Sequence, residues 1–163
     1  MNNISPHITY AEAIYSATAK AKGIANIPDE LILVNMQLVA EHIFEPVRNH
    51  FGKPIKVSSF YRCGALNKAI GGSLTSQHVS GQALDMDGDV YSSPSNKQIF
   101  EFIRDNLDFD QLIIEGITGG VMAWVHCSYK PKGNRNQILF MYAKGEKNVY
   151  EAYSLERYKE LVK

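Results

Sequence analysis

Cysteine is scarce in this 163-residue chain, and its two copies, Cys63 and Cys127, fall inside motif-rich segments rather than at the regular spacings of a disulfide framework. An excess of charge of one sign is also missing, because 17 Lys and Arg offset 17 Asp and Glu. That balance leaves no basic excess to collect phosphates and no acidic tail, so nucleic acid is not an expected partner. Nowhere do about eighteen apolar residues run together, so membrane insertion is not expected either. The opening MNNISPHITYAEAIY lacks the basic start and apolar stretch of a secretory signal, and synthesis in the cytoplasm without a signal peptide is the expectation. The helical His-Glu-x-x-His arrangement is absent, which removes the zinc-helix proteases. Internal repeats, low-complexity tracts and linkers are absent as well.

What is there is the composition of an ordinary folding chain, 45% hydrophobic and 21% charged. The length suits a single domain over 1–163 with a core that needs no staples. Thr9 and Glu12 have capping-box spacing, and Ala11, Ile14, Tyr15 and Ala19 recur with helical period, predicting a helix over 9–22 that Gly23 ends. Pro28, Asp29 and Glu30 open a long second helix whose apolar positions are Leu31, Val34, Leu38, Ile43 and Val47. This gives a helical N-terminal part over 1–50, followed by a sheet over 51–142.

Within that sheet, residues 54–60 read as a strand, followed by a short helix over 65–70, and 82–87 read as a strand that sets Ala83, Asp85 and Asp87 against Leu84 and Met86. Ser93 and Pro94 begin a helix ending near Asn106. Strands over 109–115 and 121–129 join across Gly119-Gly120 as a hairpin, another strand covers 137–142, and a closing helix spans 150–163. The fold class is α+β, a mainly antiparallel sheet flanked by helices.

Two segments carry groups with metal-binding chemistry. Ser76-Gln77-His78 through Asp85 puts an imidazole on a loop and a carboxylate on the strand that follows it. Trp124-Val125-His126-Cys127-Ser128 turns Trp124, His126 and Ser128 to one face of a strand and Val125 and Cys127 to the other. Zinc accepts neutral histidine nitrogen and carboxylate oxygen, and a catalytic site takes three protein ligands with one position left for water. Spacing alone also suits hydrogen-bonded structural histidines, and this choice stays open at the level of pattern.

At these residues the chain resembles the zinc D-Ala-D-Ala carboxypeptidase and L-alanyl-D-glutamate endopeptidase family, whose fold is shared with the Hedgehog signalling domain. The pattern Ser-x-His-x-x-Gly-x-Ala-x-Asp is met by Ser76, His78, Gly81, Ala83 and Asp85, and Trp-x-His-x-Ser-Tyr by Trp124, His126, Ser128 and Tyr129. The likeness continues through Val57–Arg62, Asn67 and Glu45–Arg48, covering most of residues 5–135.

The resemblance implies Zn2+ held by His78, Asp85 and His126, and Arg62 on the substrate's carbonyl or terminal carboxylate. Ser76 and Gln77 would support the ligand loop or touch substrate. Many relatives carry an acidic general base three residues before the last histidine, where this chain has Ala123. Glu115, in a Gln111–Glu115 segment that resembles the phage-type branch, is the candidate base. With a hairpin loop at 117–120, Glu115 would pair with Met122, about 13 Å along the strand from His126. Asp87 is the reserve base, or a partner orienting a ligand histidine.

The implied activity is hydrolysis of peptidoglycan stem or cross-link peptides by a lysin-like zinc peptidase, a monomer unless it is part of a virion, reaching the wall by holin-type release or in a virion. The competing expectation is a catalytically silent wall-binding or virion structural module with the same fold. Loops 89–93 and 130–136 are the expected walls of the substrate pocket.

Overall fold

Short polar side chains decide where the helices begin. The computed structural model describes residues 3–145 and 147–162, so residues 1, 2, 146 and 163 of the expected domain and closing helix lie outside the described residues. Strands β1 (Asn3–Ser5) and β2 (Ile8–Thr9) form a small antiparallel pair. The helix expected over 9–22 is two helices, α1 (Tyr10–Ile14) and α2 (Ala17–Lys22). Thr9 Oγ1 accepts from Glu12 N at 3.1 Å, and Ser16 Oγ accepts from Ala19 N at 3.2 Å. The second cap interrupts the helix, leaving Tyr15 extended between the two pieces.

Asp29 caps the long helix by accepting from Ile32 N at 2.9 Å. The helix runs as α3 (Glu30–Val39), a π-helical turn (Ala40–Phe44) and α4 (Glu45–Phe51). Its buried stripe differs from expectation. Ile43 and Val47 are buried, but Leu31 and Val34 are 71% and 49% exposed, and Met36, Val39, Ala40 and Phe44 make the core contact. The buried set keeps the three-and-four spacing of one helical face, whereas the step from Leu38 to Ile43 does not.

Strands β3 (Lys56–Ser59), β4 (Ala83–Asp87), β5 (Gln111–Glu115), β6 (Trp124–Ser128), β7 (Gln137–Lys144) and β8 (Lys147–Ala152) form one sheet in the order β3-β4-β6-β5-β7-β8. Every neighbouring pair is antiparallel except β5 with β7. Helix α5 (Gly64–Ala69) follows β3, and α6 (Asn96–Asn106) follows β4. Ser95 rather than Ser93 caps α6, because Ser95 Oγ accepts from Gln98 N while Gln98 Oε1 accepts from Ser95 N at 2.9 Å. The chain closes with α7 (Leu155–Leu161), capped by Ser154.

The helix expected from residue 150 is therefore preceded by a strand. Tyr150, Glu151 and Ala152 pair with Met141, Phe140 and Leu139, and Tyr142 Oη donates to Glu151 Oε2 at 2.9 Å. One face of the sheet carries Leu84, Met86, Val125, Cys127, Leu112, Ile114 and Phe140 into a core shared with Phe44 and Phe100. The fold is thus α+β, a mainly antiparallel sheet flanked by helices, and its other face is free to build a site.

Candidate metal centre

The free face presents two rows of side chains that run across the strands. Asp85, His126, Ile113 and Leu139 are successive register partners, and Trp124, Glu115, Met141 and Tyr150 form the neighbouring row. Partners in register point to the same face, so each row is a continuous shelf. A cleft of about 330 Å³ opens over both rows. Ile113, Leu139, Trp124 and Tyr150 give it an apolar side, and Arg62 with Ser73, Ser76 and Gln77 gives it a polar one. The expected wall loops, 89–93 and 130–136, do not line this cleft. The β7–β8 pair takes their place, because β8 extends the sheet where a helix was expected.

His78, Asp85 and His126 meet at one end of the cleft, 1%, 8% and 8% exposed. His126 Nδ1 lies 2.9 Å from Asp85 Oδ1, His78 Nε2 lies 3.3 Å from the same oxygen, and the two ring nitrogens are 3.2 Å apart. Bonds of about 2.0 Å in a tetrahedral zinc site require ligand atoms about 3.3 Å apart, so the triangle is the right size for one such ion.

The donor chemistry fits as well. His78 Nδ1 is 2.6 Å from Phe60 O. A carbonyl only accepts, so the ring hydrogen sits on Nδ1 and the Nε2 lone pair faces the centre. Burial would raise the Asp85 carboxyl, yet His78 and His126 outweigh it and hold Asp85 far below the ordinary range, as an anion. Burial lowers His78, while for His126 burial is outweighed by Asp85 and Glu115 and the ring is raised.

Glu115 lies closer to this centre than the expected hairpin allowed. It pairs with Trp124 rather than Met122, and Ile113 pairs with His126. The hairpin loop is longer than 117–120: a Thr118–Val121 bridge closes its tip, and Ala123 N bonds Glu115 O at 2.9 Å. Glu115 is thus two register positions from His126, on the same face and about 7 Å along the strand rather than 13 Å. Its Oε2 accepts from Trp124 Nε1 at 3.0 Å. Burial raises the Glu115 carboxyl and Asp85 adds to the rise, while His126, the Trp124 N–H and Arg62 offset part of it. Asp87 lies outside the cleft lining and accepts from Asn96 Nδ2 at 3.2 Å, with no hydrogen bond to His78 or His126 among the described residues.

Arg62 reaches the cleft from the segment after β3, and its Nε is buried with no hydrogen-bond partner among the described residues. Its backbone N bonds His78 O at 3.3 Å, tying the cation to the loop that carries His78. Ser76 O accepts from Val79 N within that loop. Ser128 Oγ accepts from Gln111 N at 2.9 Å, away from the metal centre. Gly81, at φ +69°, packs on α3 so closely that a Cβ would stand 2.8 Å from Ile32 O, so the motif glycine meets both a backbone and a packing need.

The sequence model of the Peptidase M15 family matches residues 6–128. The chain belongs to the M15 peptidase family. No curated protein matches the chain. M15 peptidases are the zinc D-Ala-D-Ala carboxypeptidase type, and the cluster of His78, Asp85 and His126 could hold such a metal. Leu139 and Tyr150 lie beyond the residues of the M15 match.

Other contributors had no motif to announce them. Asn26 is 6% exposed; its Nδ2 donates to Ile14 O at 2.9 Å and Tyr61 O at 3.0 Å, and its Oδ1 accepts from Cys63 N at 2.7 Å. It grips the chain on both sides of Arg62, across a sequence distance that no local pattern reveals. Ile113 could have been found by alternation, since it is two residues before Glu115.

Proposed function

We propose that this M15 peptidase binds zinc through His78, Asp85 and His126 and hydrolyses peptidoglycan stem or cross-link peptides. The observation that carries the reading is the buried triangle of one carboxylate oxygen and two imidazole nitrogens, 2.9–3.3 Å on its edges. Zinc held there supplies Lewis acidity toward a peptide carbonyl and toward water.

This chain's own residues do the rest. Glu115, raised toward neutrality by burial beside the cleft, takes a proton from the attacking water and returns it to the leaving amine. Arg62, free of any carboxylate partner among the described residues, holds the substrate's carbonyl oxygen or a terminal carboxylate with a planar fork of donors. Ile113, Leu139 and Tyr150 exclude water from the apolar side. The Gln111–Glu115 segment, which resembles the phage-type branch, supports delivery by holin-type release or within a virion, with a monomer as the working unit in the free form.

The test uses the purified chain with added zinc on cell-wall suspensions. Clearing with release of new amino groups is expected, and mass spectrometry of the fragments identifies the bond cut, D-Ala-D-Ala or L-Ala-D-Glu. A chain that binds zinc, sediments with walls and releases no amino groups is a binding module, and the hydrolytic reading fails.

A further inference from the structure

Beside the metal centre, outside the cleft, a buried carboxylate gathers an unusual number of partners. Asp110 is 0% exposed. Its Oδ1 accepts from Lys130 Nζ at 2.8 Å and Arg135 Nε at 2.9 Å, and its Oδ2 from Arg135 Nη2 at 2.5 Å and Gln77 Nε2 at 2.9 Å. Its backbone is anchored as firmly, with Asp110 N on Ser128 O at 2.7 Å and Asp110 O accepting from Gln137 N at 3.0 Å. Asp110 therefore moves with the ends of β5, β6 and β7. Gln77 is the residue before His78, and Gln77 O accepts from Gln82 N at 2.9 Å, closing the loop that carries the ligand.

We infer that Asp110 is a positioning residue: through the Gln77 carboxamide it fixes the loop that presents His78, and Lys130 with Arg135 keeps its charge stable in the interior. The inference rests on the zinc reading for its consequence and on these contacts for its mechanism. His126 and Asp85 need no such device, since both stand on paired strands. His78 stands on a loop, where a ligand atom is only as precise as the side chains that hold the loop.

The orientation of Gln77 separates this role from simple packing. Nε2 is committed to Asp110, and Oε1 is buried without a hydrogen-bond partner among the described residues. A carboxamide chosen to satisfy itself would have both ends bonded. Here one end is left unmet and the end facing the carboxylate is kept. The two cations lie on 130–135, so this segment is coupled to the metal ligand without touching the cleft.

The experiment compares the full chain with Gln77→Leu, which cuts the link and leaves Asp110 paired with Lys130 and Arg135. In the metal-free chain, amide exchange at Val79, Gly81 and Gln82 should quicken while exchange in β4 and β6 is unchanged. Zinc affinity, read by chelator competition, should fall about 10- to 100-fold. Arg135→Ala should weaken zinc binding in the parent and add little in the Gln77→Leu background, because both act through one chain of contacts.

Unchanged loop exchange in Gln77→Leu overturns the inference, and so do fully additive losses in the double variant. A parent chain that binds no zinc, yet shows faster loop exchange in Gln77→Leu, sinks the zinc reading and leaves the clamp standing. Asp110→Asn is the harsher variant; should it fail to fold, the Gln77 and Arg135 pair still decides the matter.

Discussion

His126 and His78 face the same centre but are held in opposite ways. His126 sits in β6 between two partner strands, opposite Asp85 on one side and Ile113 on the other, and the backbone ladder sets its direction. His78 sits in the loop between α5 and β4, and side chains set its direction: its own Nδ1 on Phe60 O and, one residue earlier, Gln77 on Asp110. A strand offers a ligand position that survives substitution of its neighbours. A loop offers reach, and depends on every contact that pins it.

The largest effect comes from the ligands themselves. His126→Ala and His78→Ala should each abolish zinc binding, measured by metal content after dialysis. They should differ in the metal-free chain. Without His126 the β4–β6–β5 ladder is intact and its amides stay protected. Without His78 the tie to Phe60 O is gone, and the 79–82 amides should exchange about 2- to 10-fold faster, as expected for one lost hydrogen bond. Equal protection in the two variants would erase the distinction between strand-held and loop-held ligands.

Next in size is Glu115→Gln, which tests the strand side at its chemical end. The kcat should fall about 10²- to 10⁴-fold with zinc content unchanged. Stability should hold or rise. A carboxyl raised in the folded chain contributes stability only in its protonated form, below the unfolded value, and loses it as pH rises through the folded value. At neutral pH the glutamine escapes that cost, so thermal melting separates a catalytic loss from a structural one.

Asn26→Ala probes the loop side at a distance. It leaves Tyr61 O and Cys63 N without their partner inside the protein, at a cost of about 1–3 kcal/mol, read by urea unfolding. Because the same contacts flank Arg62, kcat/KM should fall while zinc affinity changes little. A matching fall in zinc affinity would mean that the Arg62 and His78 segments move as one body, blurring the contrast.

The same division explains what could be read from the sequence. Strand alternation put His126 and Asp85 on one face and Leu84, Met86, Val125 and Cys127 on the other, because period two is a property of the residues themselves. Although the helix begins at Glu30, and Asp29, read with Pro28 and Glu30 as its first turn, is its cap, the existence of the long helix was equally local. The hairpin register was not, since the loop from Gly116 to Ala123 closes with its own bridge and places Glu115 opposite Trp124. The amphipathic spacing of residues 150–163 predicts a helix from Tyr150, and only pairing with Met141, Phe140 and Leu139 puts residues 150–152 in a strand and delays the helix to Leu155. Asn26 and Asp110 act over 35 and 33 residues of sequence, a range at which no pattern speaks.

The smallest effect is the sharpest on the strand side. Trp124 Nε1 donates to Glu115 and so favours its ionised form, against the burial that favours the neutral one. Trp124→Phe keeps the ring in the row and removes the donor. The Glu115 carboxyl should then rise further, and the acidic limb of the kcat/KM profile, which requires the ionised base, should move to higher pH. On the plateau above that limb the loss should stay within about tenfold, the worth of one hydrogen bond. A limb that stays in place under a uniform loss would assign Trp124 to packing alone. A limb that moves to lower pH would mean that the indole N–H opposes ionisation, and would take Glu115 out of the base role, leaving the strand row as a floor for substrate rather than a source of chemistry.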